Sequence, residues 1–362
     1  MRACLRQPVD RTPVWFLRQA GRYMPEYMAV RKHHTLLEIC RTPQIAAEVT
    51  ITAAERLGVD AAIIFADLLL PFTPMGLDFE FVNGEGPIVH QPVRSLEHVQ
   101  ALRTDRTDEL RYVAQAIEIV TKHFAPPRSD GDTLGIIGFI GAPFTLASYM
   151  IEGGSSRNYV ETKKLMYASG NAGAPGLASE TRASGKAASW PLLMEKLLTV
   201  LTAYAQQQVE AGADVIQIFD SWAGALSVAD YRQFCLTPTR ELIQRVQAMG
   251  VPIIYFGVDT ASLLPTFREL GADVIGLDWR IPLDEGWRAL GHTTAVQGNL
   301  DPITLFAPDS ILETRVNEIL AHAAGRPGHI FNLGHGIVPG TPVENVLRVV
   351  DLIRASCLNI ES

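Results

Sequence analysis

Two arginines, Arg18 and Arg22, follow the apolar run Pro13-Val14-Trp15-Phe16-Leu17, with Gly21 between them. Apolar residues on both faces of that run predict a strand buried on both sides. The arginines then lie where the strand leaves the core, on a turn that Gly21 lets bend freely. Fixed guanidinium forks at a strand end suit a ligand carrying several carboxylates or phosphates. A competing reading pairs one arginine with a core acid and leaves the other to solvent. The net charge of −8 means that an anion site must be built locally. It also argues against nonspecific nucleic-acid binding, which needs basic surface.

The elements that hold these residues follow a repeated pattern. Leu57-Gly58-Val59-Asp60, Ala211-Gly212-Ala213-Asp214 and Leu270-Gly271-Ala272-Asp273 each put a glycine suited to a helix C-cap before an apolar run. The runs end in Asp67, Asp220 and Asp278. Such runs fit parallel strands covered by helices. Thr42-Pro43 predicts a helix start that Gly58 closes, and Leu193, Leu197, Val200, Leu201 and Tyr204 give helical spacing before Gly212. Strands are predicted at Val14–Leu17, Ala62–Phe65, Leu134–Ile140, Val215–Phe219, Pro252–Phe256, Val274–Leu277, Thr294–Gln297 and His329–Leu333. Eight β/α units predict a single closed (β/α)₈ TIM barrel over 1–362, with its active-site cleft at the strand C-termini. An open doubly wound sheet is the runner-up, but no GxGxxG turn follows the first strand. The Gly/Ala/Ser-rich stretch Ser169–Ser189 reads as a flexible surface insertion.

Bulk properties narrow the class further. Hydrophobic residues make up 47% of the chain, ample for a large core. No apolar run approaches the roughly 18 residues of a membrane span. Residues 1–7 lack a signal-peptide core, and the scattered Cys4, Cys40, Cys235 and Cys357 read as reduced thiols of a cytoplasmic protein.

The strand ends carry the chemistry. They offer Arg18, Gln19 and Arg22, then Asp67, then Gly141 to Tyr149 with Glu152-Gly153-Gly154-Ser155-Ser156. Later ends offer Asp220-Ser221-Trp222, Gly257, Asp278-Trp279, Gln297 to Asp301 and Asn332-Leu333-Gly334-His335-Gly336. Asp220 and Asp278 fit helix N-caps. Asp67 fits one less well, because Leu68, Leu69, Leu70 and Pro71 follow it and an acid in apolar surroundings is costly without partners. His335 either orients a turn or contacts ligand, and the flanking glycines favour contact by close backbone approach. Gly153 to Ser156 offers backbone amides to an anion, although such loops are common. HExxH, paired CxxC, GxSxG and GxxxxGK[ST] are all absent, and no lysine ends a predicted strand. What remains is a cofactor-free, metal-free site.

The run Trp15 to Tyr27 (WFLRQAGRYMPEY) resembles the N-terminal signature of the uroporphyrinogen decarboxylase family. Gly141-Ala142-Pro143-Phe144-Thr145, with Tyr149 and Glu152-Gly153-Gly154, resembles its second signature. Ile64 to Asp67, Ile218 to Ser221 and Asn332 to Gly336 are similar to its remaining site segments in order and spacing. Ser169–Ser189 looks like an insertion relative to that family. The resemblance implies a homodimeric barrel that removes CO₂ from the four acetates of uroporphyrinogen to give coproporphyrinogen, without metal or organic cofactor. Asp67 would accept the pyrrole N–H groups, and Arg18 and Arg22 would hold carboxylates, with the proton donor left open between Arg18, Arg22 and water. Gln19, Tyr149, Ser221 and His335 would hydrogen-bond the substrate. Phe219 packs either on the macrocycle or in the core. The alternatives are a zinc-dependent methyltransferase on the same barrel, which needs His and Cys near strand ends, and a non-catalytic tetrapyrrole carrier.

Overall fold

The repeated Gly-x-Asp units register the barrel. Gly58, Gly212 and Gly271 follow helices with φ of 64°, 106° and 76°, a region where any side chain is strained. Two residues later, each aspartate reaches back to the neighbouring strand segment. Asp60 Oδ2 accepts from Val14 N at 2.9 Å, Asp214 Oδ2 from Ile136 N at 2.8 Å and Asp273 Oδ2 from Ile253 N at 2.8 Å. One short motif thus both turns the chain and joins adjacent strands.

The computed structural model describes residues 1–82, 84–127, 133–170 and 185–358. Its strands are β1 (Ala61–Ile63), β2 (Phe79–Val82), β3 (Gly86–Val89), β4 (Gly135–Gly141), β5 (Val215–Asp220), β6 (Ile253–Gly257), β7 (Val274–Gly276), β8 (Ala295–Gln297) and β9 (His329–Ile330). Seven pair in parallel in the order β1-β4-β5-β6-β7-β8-β9, and β2-β3 is a separate antiparallel hairpin. The hairpin is not among the strands predicted from the sequence.

The strand predicted at Val14–Leu17 survives only as a bridge, yet it fills the eighth position. Phe331 N donates to Pro13 O at 2.8 Å and Trp15 N to Phe331 O at 3.3 Å, while Asp60 N donates to Val14 O at 2.8 Å. Beyond Trp15 side chains take over the ladder. Phe16 N donates to Gln19 Oε1 at 3.2 Å, and Leu17 N to Asn332 Oδ1 at 2.9 Å. The segment therefore closes the curled sheet between β9 and β1 and then leaves it.

Inside the barrel, buried Trp15 Nε1 donates to Gln297 Oε1 at 3.1 Å, and Gln297 Nε2 to Gln217 Oε1 at 3.3 Å. Outside it, the helix Ser189–Glu210 buries Leu193, Leu197, Val200, Leu201 and Tyr204, the predicted face. Ser169 closes the helix Val160–Ser169, and Ser189 opens the next; both are buried. The excursion predicted for Ser169–Ser189 is therefore narrower than those bounds, and 171–184 lie outside the described residues.

Asp273 also accepts from Gln247 Nε2 at 2.9 Å. Asp273→Ala leaves two donors without this partner, an expected loss of about 1–3 kcal/mol of unfolding free energy. Asp273→Asn, which keeps an acceptor oxygen, should recover most of it. Urea denaturation reads both, and equal stability of wild type and the alanine variant would refute the strand-joining role.

Candidate active site

The first candidate side chain sits on a strained residue. Arg18 itself takes the left-handed conformation, with φ of 61°, at a cost of about 1–3 kcal/mol. Gly21, expected to let this turn bend freely, does not do so through a positive φ. Its role is close approach, because a Cβ there would meet Arg18 O at 2.9 Å. Asn332 Oδ1 accepts from both Leu17 N and Leu333 N, and Ile337 N donates to Leu17 O at 2.9 Å. The Arg18 turn is thereby fastened to the loop that carries His335. Gly336 completes the fit, since a Cβ there would lie 2.3 Å from Arg18 Cδ. The glycines flanking His335 thus serve packing inside the protein, Gly336 against the Arg18 stem and Gly334 against the Trp279 backbone.

Gln19 departs from the expected role. It is buried, its Oε1 accepts from Phe16 N, its Nε2 donates to Ala61 O at 3.1 Å, and its carbonyl accepts from Tyr23 Oη at 2.8 Å. This side chain binds the Arg18 turn to β1. Arg18 and Arg22 are instead exposed. Among the described residues neither makes a hydrogen bond or a salt bridge, so the reading that pairs one with a core acid does not hold.

Asp67 lies four residues past β1 and is half-buried. Its Oδ1 accepts from Leu69 N at 2.9 Å, an Asx-type turn that leaves Oδ2 for a ligand. Withdrawal from water pushes its pKa up to about 6, opposed by the Leu69 N–H and by the Arg18 charge. Tyr149 feels both Asp67 and Arg18, so the three share one region. Its ring lies on Trp222 at 3.7 Å between centroids. Burial raises its pKa, so the hydroxyl is a neutral donor, and no described residue hydrogen-bonds it.

The β5 end supplies half-buried Phe219 and Ser221. Phe219 meets Phe139 at 5.5 Å and Phe256 at 6.0 Å, both edge-on. Asp220 is no helix cap. It is fully buried and accepts from Thr145 Oγ1 at 2.6 Å and Tyr255 Oη at 2.5 Å. Asp278 is a loop organiser, accepting from Asp259 N and from Arg280 N at 2.9 Å. Its partner Arg280 stacks over Trp279 at 4.0 Å, and Trp279 meets His335 edge-on at 6.2 Å. Arg280 is not among the candidates predicted from the sequence, although it follows directly on Asp278-Trp279. Burial and then Arg18 lower the pKa of half-buried His335, which favours neutral imidazole.

The suggested anion cradle at Gly153 to Ser156 serves the β2-β3 hairpin. Val89 N donates to Gly153 O at 2.8 Å, Gly154 bridges Ile88, and Glu152 accepts from Thr162 N at 2.8 Å.

A family model described as Uroporphyrinogen decarboxylase (URO-D) matches residues 1–356. The protein named Uroporphyrinogen decarboxylase from Koribacter versatilis is 60% identical over 96% of this chain and 92% of its own length. The one from Solibacter usitatus is 50% identical over 97% and 95%. The chain belongs to the uroporphyrinogen decarboxylase family. A solved methyltransferase from Methanosarcina mazei shares the fold of this family member at a TM-score of 0.74, with 22% identity over 98% of this chain and 97% of its own. That likeness concerns the fold alone. Among the described residues, no three His, Cys, Asp or Glu side chains converge as a metal site.

In this family member Gly336→Ala is expected to push the Arg18 side chain aside at little cost to the fold. The melting temperature should move by about 2 °C or less, while uroporphyrinogen binding, read by tryptophan quenching, weakens as far as in Arg18→Ala. Wild-type affinity in Gly336→Ala would contradict the packing of Arg18 on that glycine.

Proposed function

We infer that this chain removes CO₂ from the four acetate side chains of uroporphyrinogen, giving coproporphyrinogen, with no metal or organic cofactor. Membership of the family carries the reaction. The observation that carries its mechanism is Asp67, a carboxylate with one oxygen free, set in the field of an unpaired arginine.

The substrate brings eight carboxylates and four pyrrole N–H groups. Each N–H needs an acceptor once it leaves water, and Asp67 Oδ2 faces no competing donor among the described residues. Arg18 and Arg22 hold substrate carboxylates. Tyr149, Ser221 and His335 fix which acetate faces the chemistry, and Phe219 packs against the macrocycle. Gln19 acts through the Arg18 turn.

Loss of CO₂ leaves an electron pair on the methylene carbon, and a neutral pyrrole accepts it poorly. A proton added to a ring carbon makes the pyrrole cationic. The C–CO₂ bond then breaks and its electrons flow into the ring as an exocyclic methylene. A second proton converts that methylene to methyl, and the ring proton leaves to restore the pyrrole. One proton is consumed per CO₂. An Asp67 carboxylate about 4 Å from the cation stabilises it by roughly 4 kcal/mol at an effective dielectric of about 20, on the order of a thousandfold in rate. Arginine, with a pKa above about 12, is a poor donor. Water ordered by the Arg18 or Arg22 guanidinium supplies the proton in this reading. The family resemblance also supports a cytoplasmic homodimer, which sedimentation in solution would check for its assembly.

The test is anaerobic turnover of uroporphyrinogen III by the purified protein, counting carboxyls by chromatography from pH 5 to 8. A ladder from eight carboxyls down to four is expected. Because Asp67 is raised to about 6 and acts ionised, kcat/KM should fall as pH drops below about 6. Its folded-state pKa lies above the unfolded value, so its charge destabilises the fold above that pH. Asp67→Asn should therefore hold or raise the melting temperature at pH 8 while losing turnover. Bound but unchanged substrate would favour the carrier, and near-normal turnover in Asp67→Asn would remove charge stabilisation.

A further inference from the structure

Behind the cleft, a line of hydrogen bonds runs from the barrel wall to the face of Tyr149. Trp222 N donates to Thr145 Oγ1 at 3.3 Å. A backbone N–H can only donate, so the Thr145 hydroxyl hydrogen points the other way, to Asp220 Oδ1 at 2.6 Å. Tyr255 Oη donates to Asp220 Oδ2 at 2.5 Å, so toward Tyr231 Oη at 2.8 Å it is the acceptor. Every donor in the line therefore faces the Asp220 carboxylate, and no hydroxyl in it is free to rotate. Thr145, Asp220, Tyr231 and Tyr255 are fully buried and touch no solvent.

The line ends at the cleft wall. Thr145 and Tyr149 lie four residues apart on the helix Pro143–Glu152, hence on one face. The Trp222 ring, whose backbone Thr145 holds, contacts Tyr149 at 3.7 Å and Tyr159 at 5.1 Å between centroids. Thr145 thus fixes both sides of the Tyr149–Trp222 contact: one through the helix, the other through the Trp222 N–H.

We propose that Thr145, held by Asp220, is a positioning residue that sets the Tyr149 hydroxyl for a substrate carboxylate by fixing Trp222. This rests on the decarboxylase reading above, and deepens it by naming a residue that never reaches the substrate. Valine at 145 keeps the shape, loses both hydrogen bonds and frees the Trp222 segment. Serine keeps the hydroxyl.

The test is a double-mutant cycle of Thr145→Val and Tyr149→Phe in the full chain, with Thr145→Ser as rescue, read by turnover and by tryptophan quenching on uroporphyrinogen binding. Thr145→Val is expected to raise KM on the order of tenfold with kcat within about twofold. Thr145→Ser should stay within about twofold of wild type. In the Tyr149→Phe background, Thr145→Val should add less than about twofold, because its target is gone. Multiplying effects in the double variant, or a lowered melting temperature with unchanged KM, would overturn the proposal. If Thr145→Val does not fold, Trp222→Ala replaces it in the cycle with the same expectation. A wild type that binds without turnover fails the decarboxylase reading, and the binding cycle still decides the positioning role.

Discussion

The site depends on the opposition between one carboxylate and one guanidinium that do not neutralise each other directly. Asp67 is withdrawn from water far enough to raise its pKa to about 6, and the Leu69 N–H and the Arg18 charge pull it back. A closer ion pair would have held the carboxylate ionised but occupied both partners. Here one carboxylate oxygen and a whole guanidinium stay available. A polyanionic substrate with a cation forming at its centre needs both signs of charge, separately placed.

Keeping Arg18 available shapes much of the surrounding chain. Its left-handed backbone is held by Gln19, Asn332 and the Ile337 N–H. These are the groups that draw the first strand out of the ladder after a single bridge. The barrel is thus closed least regularly where the unpaired Arg18 side chain projects. Strain of this kind persists only where surrounding structure over-determines it, and Gly336 lets the Arg18 stem lie directly against the backbone.

What the sequence makes legible is whatever runs along the chain. The apolar runs, the glycine caps and the helical face before Gly212 all repeat with local periods, and the strands lie within or close to the predicted ranges except at Val14–Leu17, a bridge only, and at His329–Leu333, which shortens to His329–Ile330. The polar residues just past the strands were legible as candidates for the same reason. Partnerships across the sheet were not. Asp220 reads as a cap until Thr145 and Tyr255, distant in sequence, meet it in the core. Gln19 reads as a ligand contact until Ala61 O takes its amide. The hairpin at 79–89 left a signal in the alternation Phe79-Glu80-Phe81, which the longer β/α rhythm hid.

The most direct measurement is the titration of Asp67 itself, by infrared difference spectra of wild type against Asp67→Asn, with and without bound coproporphyrinogen. A carboxyl midpoint near 6 is expected in the free protein, moving down when pyrrole N–H groups bind the carboxylate. A midpoint at the ordinary aspartate value of about 3.9, or one that product leaves unmoved, would contradict it.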